Sequence, residues 1–528
     1  MNDPQPPILP APRPLQWALQ RVASVGAHLV PGRFDLRPEA VLDRAAGLEG
    51  SREWGSERFI EPMSRVLREA SAPPYTALAR AVSQEVAVRA VRNRIRAERV
   101  LSAHPHLRDP RIERPIFVVG LPRSGTTLLQ NLLAAEPGSR ALQFWELTQP
   151  TAVHRDPAVD RARRQARAAR DLRAAAWLAP EMSAVHDVRV DSAEECWLLM
   201  ANSFAVLNYD LANGAQAFGD WLLQQDLGWA WAEYRRSLGI LLAERPATTL
   251  VLKCPEHLWF LDHLLQTFPD ACVVWAHRDP VRSAASYASM VTLSRRLMFG
   301  RVDAAALGAH VLRRFTQGIE RAMAVRERAD PARFADVRLE DLTADPLGTV
   351  ARIRQGFGLP CTGEGLRRAA EHLVLPRHDA PGRHRYHPAQ YGLAAPAVLP
   401  AVADYRVLAQ LPAPPPPPRR ALLVHPRFPI TYWGFQYALP LSNRRASLPP
   451  LGLVSLAALL PTSWSLTLVD LNIEELSDEA LAACDVVLLG GMRVQAESMD
   501  EVIARARAAG VRLVVGGPAA TSDPERFA

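Results

Sequence analysis

Residues 116–128, Ile-Phe-Val-Val-Gly-Leu-Pro-Arg-Ser-Gly-Thr-Thr-Leu, constrain the fold more than any other stretch of the chain. A short apolar run halts at Gly120. A tight loop follows, and helix-forming residues run from Leu128 to Leu133. Such a strand, loop and helix start build an anion cradle, because free backbone N–H groups and the positive end of a helix face one point.

The interval from Gly120 to Gly125 matches G-x-x-x-x-G-K-[ST], the loop that binds ATP and GTP. Thr126 stands where that motif has lysine, and the cation lies inside the loop as Arg123. A phosphate is expected here, without the triphosphate–magnesium unit of a kinase or NTPase, which is the alternative enzyme class. Pro-Arg-Ser-Gly-Thr-Thr behind a hydrophobic strand resembles the 5′-phosphosulfate loop of sulfotransferases that use 3′-phosphoadenosine 5′-phosphosulfate (PAPS). An Arg in the loop is shared with a bacterial branch and with tyrosylprotein sulfotransferases. The resemblance covers about residues 80–410, anchored at Pro115–Leu129, Trp145-Glu146, Leu252–Trp259, His277–Ser286 and Leu339–Pro346.

That resemblance implies PAPS as co-substrate and assigns roles. Arg123, Ser124, Gly125, Thr126, Thr127 and Leu128 would hold the phosphosulfate, and Lys253 would approach the bridging oxygen. Arg278 and Ser286, eight residues apart, would take the 3′-phosphate, with Ser283 one turn earlier on the same face. Glu146 in Phe-Trp-Glu-Leu is the expected general base, with His186 and Glu195 as rivals. Arg383 to Tyr391 would close over the nucleotide or form a surface loop. Sulfuryl transfer needs positioning and charge stabilisation rather than a metal clamp, and no metal-ligand pattern is visible. The acceptor would be a small-molecule, lipid or peptide hydroxyl.

The bulk numbers agree with that reading. A net charge of +7 and a pI near 9.4 suit an anionic ligand. No zinc-finger spacing or aromatic–basic RNA motif appears, so nucleic acid is not an expected partner. Lys253 is the sole lysine among 62 Lys and Arg residues, which singles out Val-Leu-Lys-Cys-Pro as a place for a compact point charge. Five cysteines are scattered without pairing, so neither a disulfide framework nor a metal site is expected. The N-terminus lacks the pattern of a signal peptide, and no apolar run is long enough to span a membrane. A cytoplasmic protein is expected. The arginine-rich helix at 158–176 would be a solvated face or a peripheral membrane contact.

Strands alternating with helices predict an α/β protein: a P-loop-like parallel sheet flanked by helices, with an N-terminal helical region. The expected divisions are a disordered 1–14, a sulfotransferase domain at 15–410 (helical cap 15–105, α/β core 106–410), a proline-rich linker at 411–420, and a Rossmann-like domain at 421–528. Within the core, a helix is expected from Ser192 to about Leu207 and another near 257–267. In the last part, Leu448-Pro-Pro-Leu-Gly-Leu, Val469-Asp470-Leu-Asn, Asp485 to Met492 and Val515-Gly-Gly-Pro518 resemble the cobalamin-binding domain of cobalamin-dependent radical SAM enzymes. That implies cobalamin, although Asp-x-His-x-x-Gly and Cys-x-x-x-Cys-x-x-Cys are both missing. The segment is therefore expected to be a partial domain. A third class of function follows: a cobalamin-binding protein whose sulfotransferase half is inactive.

Overall fold

The computed structural model describes residues 34–179, 188–374, 388–393, 400–411, 419–430, 450–460 and 464–527, with isolated positions between them. The expected disorder at 1–14, the linker prolines, His186 and residues 383–387 lie outside the described residues. Two compact units are present, Met1–Pro412 and Ala413–Ala528.

The first unit is built on five parallel strands: β1 (Ile116–Gly120), β2 (Ser139–Arg140), β3 (Thr249–Lys253), β4 (Cys272–His277) and β5 (Phe334–Arg338). Their order is β2-β3-β1-β4-β5. Successive residues of β1 point to opposite faces. Ile116 and Val118 enter one buried cluster, Phe117 and Val119 the other. Both faces are covered, so the strand reads as an unbroken apolar run. Central β1 pairs with β3 on one side and β4 on the other, so all three carboxyl ends deliver loops to one edge.

Helices Pro38–Glu49, Ile60–Ser71 and Ala77–Ala103 form the N-terminal cap. Thr76 starts the longest by accepting the Ala79 N–H at 3.2 Å, and Val88, Val91 and Ile95 are buried along it. The helix expected from Ser192 to about Leu207 is not continuous. Trp197–Met200 is one turn of helix, Ala201–Ser203 is 3₁₀, and Phe204 ends it with a left-handed φ of 59°. The expected helix near 257–267 splits into a 3₁₀ turn, Pro255–Leu258, and a helix, Leu261–Thr267. Helix Pro157–Leu178 carries more than a solvated face. Arg164 is fully buried, ion-paired to Asp160 at 2.7 Å and stacked 4.6 Å from the Trp145 ring.

The second unit has four parallel strands in the order β7-β6-β8-β9. They are β6 (Arg420–His425), β7 (Ser465–Asp470), β8 (Val486–Gly490) and β9 (Arg512–Gly516). Leu453 of helix Leu451–Leu459 packs on one face, and Met499, Val502 and Ile503 of helix Ala496–Ala508 pack on the other.

Candidate active site

Backbone geometry shapes the loop after β1. Gly120 has φ 140°, and a Cβ there would run into the Ala276 carbonyl of β4. Arg123 itself is left-handed at φ 69°. Gly125 has φ 89°, and its Cβ would lie 2.7 Å from Leu339 Cδ1. Ser124 Oγ donates to the Leu121 carbonyl at 2.7 Å and ties the loop to itself. Helix Thr126–Leu133 then begins without a side-chain cap, so its first N–H groups remain for an anion.

The second basic segment folds onto this loop. Arg278 Nη1 donates to the Arg123 carbonyl at 2.5 Å, and Arg123 Nε donates to Ser286 Oγ at 3.4 Å. Asp279 caps helix Pro280–Phe299 through the Arg282 N–H at 2.9 Å, which fixes Ser286 on the second turn. Ser283 is buried one turn earlier, and its hydroxyl has no described partner. Arg406 of helix Pro400–Leu408 ion-pairs with Asp279 and steadies the corner, a contact the sequence did not suggest.

Lys253 ends β3 with its side chain fully buried. Its ammonium donates to Thr127 Oγ1 at 3.3 Å and to Glu195 Oε1 at 3.0 Å. Burial works against the charge, but Glu195 and Glu194 outweigh it and raise the lysine above its ordinary value. A cavity of about 530 Å³ opens beside these groups. Arg123, Gly125, Thr126, Thr127 and Arg278 stand in its wall, while Ser124, Leu128, Lys253 and Ser286 are not part of it. Glu194, Glu195 and Glu256 supply carboxyl groups, and Trp197, Leu211, Tyr287 and Met290 supply apolar surface.

Glu146, the base expected from the resemblance, does not face the cavity. It lies outside the cavity wall and is 1% exposed. Arg140 Nη2 and Arg245 Nη1 donate to Oε1 at 2.6 and 2.9 Å, and the Gln143 N–H donates to Oε2 at 2.9 Å. With both oxygens engaged in a helix cap and ion pairs, it anchors structure. Glu195, named as a rival, is the carboxylate beside Lys253. Glu256 was missed. A lone carboxyl between apolar stretches in Lys-Cys-Pro-Glu-His-Leu-Trp was the available signal.

The carboxyl edge of the second sheet has room for a group the size of cobalamin. Gly490 and Gly516 face each other in register at the ends of β8 and β9. A Cβ on Gly516 would meet nothing within 4 Å, and one on Gly490 would meet only Leu453. This bare backbone fits the close approach of a bulky ligand at the carboxyl ends of the strands.

The first unit is thus a parallel α/β fold that gathers an anion loop, two arginines and a buried lysine at one sheet edge. Residues 115–363 match the sulfotransferase family, and residues 439–528 match the B12 binding domain. The first unit is thus similar to sulfotransferases, and the second to B12 binding domains, over those residues. Sulfotransferase STF1 from Mycobacterium tuberculosis superposes with a TM-score of 0.58 at 28% identity, covering 70% of this chain and 97% of its own. Omega-hydroxy-beta-dihydromenaquinone-9 sulfotransferase Stf3 of Mycobacterium bovis is 26% identical over 274 residues, 46% of this chain and 63% of that protein. An uncharacterized methyltransferase of Synechocystis sp. is 43% identical over 106 residues, 20% of each chain. The chain therefore spans about a fifth of that methyltransferase and under two thirds of the menaquinone-type sulfotransferase. None of the described helices is long and apolar enough to cross a membrane.

Proposed function

We propose that the first unit transfers the sulfuryl group of PAPS to the hydroxyl of a small apolar alcohol. The reading is carried by one observation: Arg123 touches Ser286, Arg278 touches Arg123, and Lys253 touches Thr127, all at one sheet edge. The loop amides of residues 124–128 with Arg123 hold the phosphosulfate. Arg278 and Ser286 hold the 3′-phosphate. The acceptor oxygen attacks sulfur in line, and the bond from sulfur to the 5′-phosphate oxygen breaks. Glu195 takes the hydroxyl proton, and Lys253 donates a hydrogen bond to the departing phosphate oxygen. The apolar wall, together with a relative named for a hydroxylated menaquinone, favours a lipid-like alcohol. Thr126 in the lysine position argues against a kinase.

Calorimetry with adenosine 3′,5′-bisphosphate in metal-free buffer tests the reading. Binding is expected with Kd on the order of micromolar. Arg123→Ala should weaken it at least about tenfold, since a charge-assisted hydrogen bond contributes roughly 1.5–3 kcal/mol. Unchanged affinity in that variant removes the loop assignment, and preference for ATP with magnesium favours the kinase instead.

A further inference from the structure

One carboxyl in the cavity wall has no part in the transfer chemistry. Glu256 follows Lys253 by three residues, on the turn Pro255–Leu258 that leaves β3. It is 4% exposed, yet it stands in the wall of the 530 Å³ cavity. Oε2 accepts the Asn208 N–H at 3.0 Å, at the head of the short helix Asn208–Leu211. Oε1 has no hydrogen-bond partner among the described residues. A buried polar atom without a partner is costly, and such atoms are rare unless a bound group completes them.

We propose that Glu256 is an acceptor-recognition residue whose Oε1 donates a hydrogen bond to a second oxygen of the acceptor. The preferred substrate is then an apolar alcohol with another hydroxyl, ether or carbonyl oxygen near the one sulfated. The inference rests on the transferase reading above and adds the substrate class to it.

The surroundings keep this carboxyl neutral. Burial pushes it up to about 8; the Asn208 and Leu207 N–H groups pull it down, and Glu195 pushes it further up. Lys253, the nearest cation along the chain, is already held by Glu195. Tyr287 on helix Pro280–Phe299, Tyr209 on helix Asn208–Leu211 and Cys254 face the same carboxyl, and burial keeps all three protonated. At neutral pH Glu256 therefore presents an O–H donor to the cavity. A site built to hydrogen-bond a substrate oxygen discriminates strongly against analogues lacking it.

The test is sulfation of decan-1-ol and decane-1,2-diol by the full chain with PAPS, beside calorimetry with adenosine 3′,5′-bisphosphate. The wild type should favour the diol in kcat/KM by about tenfold or more at pH 7. Glu256→Leu should bring that ratio to about one by raising KM for the diol, with decanol turnover within about threefold and bisphosphate affinity unchanged. Glu256→Gln keeps an N–H donor and should keep most of the preference. The wild-type preference should fade above pH 8, where the donor proton is lost, while that of Glu256→Gln stays level. A wild type without diol preference, or a Leu variant that retains it, overturns the assignment. Should the Leu variant fail to fold, parallel pH profiles for wild type and Glu256→Gln overturn it equally. Bisphosphate binding without sulfation of either alcohol would bring down the transferase reading and this inference with it. Turnover with an unaltered ratio brings down this inference alone.

Discussion

At the scale of single residues, three glutamates near one another in the chain or the fold play different parts, and environment decides which. Glu195 touches Lys253 in the cavity wall, whereas Glu146 is closed off between Arg140 and Arg245. Replacing Glu195 by Gln should lower kcat by about a hundredfold to ten-thousandfold, the usual worth of a positioned base, with bisphosphate affinity unchanged. Replacing Glu146 by Gln should leave turnover per folded molecule intact and lower stability by about 3 kcal/mol. That is the low end for breaking a buried pair, because Arg245 is 32% exposed. Steady-state kinetics beside urea titration separates the two. Glu256 supplies a pH test. Its folded-state value near 8 lies above the ordinary 4.5, so the folded protein keeps a proton that the unfolded chain releases. Stability should therefore fall as pH rises from 4.5 to 8, and Glu256→Gln should flatten that fall in urea midpoints taken at several pH values. The sequence placed Arg123, Lys253 and Arg278 at strand ends, and the family resemblance added Ser286 eight residues after Arg278. It put Glu146 forward as well, because position along a chain does not say which way a carboxylate turns. It passed over Glu256 because burial and an unmet oxygen exist only in three dimensions.

At the scale of elements, the site depends on a loop whose backbone only certain residues tolerate. Gly125→Ala would place a methyl 2.7 Å from Leu339 Cδ1 in a left-handed conformation that disfavours a Cβ. The loop should shift, and bisphosphate affinity should drop at least about tenfold while the far-ultraviolet spectrum is retained. The helix behind the cavity is held differently. Asp210 is fully buried and accepts from Arg314 Nε at 2.7 Å, with His310 Nε2 at 2.7 Å on its other oxygen. Asp210→Ala would remove the partner of Arg314 Nε and His310 while Asp220 still pairs Arg314 Nη2 at 2.7 Å, at a cost of about 3 kcal/mol, the low end for breaking a buried pair, read as a lowered denaturant midpoint. Central β1 was legible because a strand buried on both faces reads as an apolar run ending at a glycine, whereas the two-residue edge strand β2 was missed because Ser139–Arg140 carries no such run. The segment after Ser192 was not legible either, because Phe204 adopts a left-handed turn that no residue preference announces.

At the scale of the whole molecule, the chain joins two α/β units with separate hydrophobic cores. Every buried residue of the first unit's two large clusters precedes the proline run, and every residue of the second unit's clusters follows it. A core that borrows nothing across a boundary folds without the other side. A chain ending at Pro412 should therefore bind adenosine 3′,5′-bisphosphate with the affinity of the full protein. A cobalamin taken up by the second unit would fit at the carboxyl edge of β6 to β9, where Gly490 and Gly516 leave the backbone bare. Bound there, the cofactor would supply a cobalt centre. Gly516→Val fills that open space with a side chain on a strand that favours β-branched residues, so the fold should persist. Titration of the full chain with hydroxocobalamin, followed by gel filtration and absorbance, should show about one equivalent retained by the wild type and little by Gly516→Val. Equal retention by both proteins places the cofactor elsewhere, and no retention by either assigns the second unit a role without cobalamin. In each case bisphosphate binding by the first unit should stay the same, because the two cores share no residue.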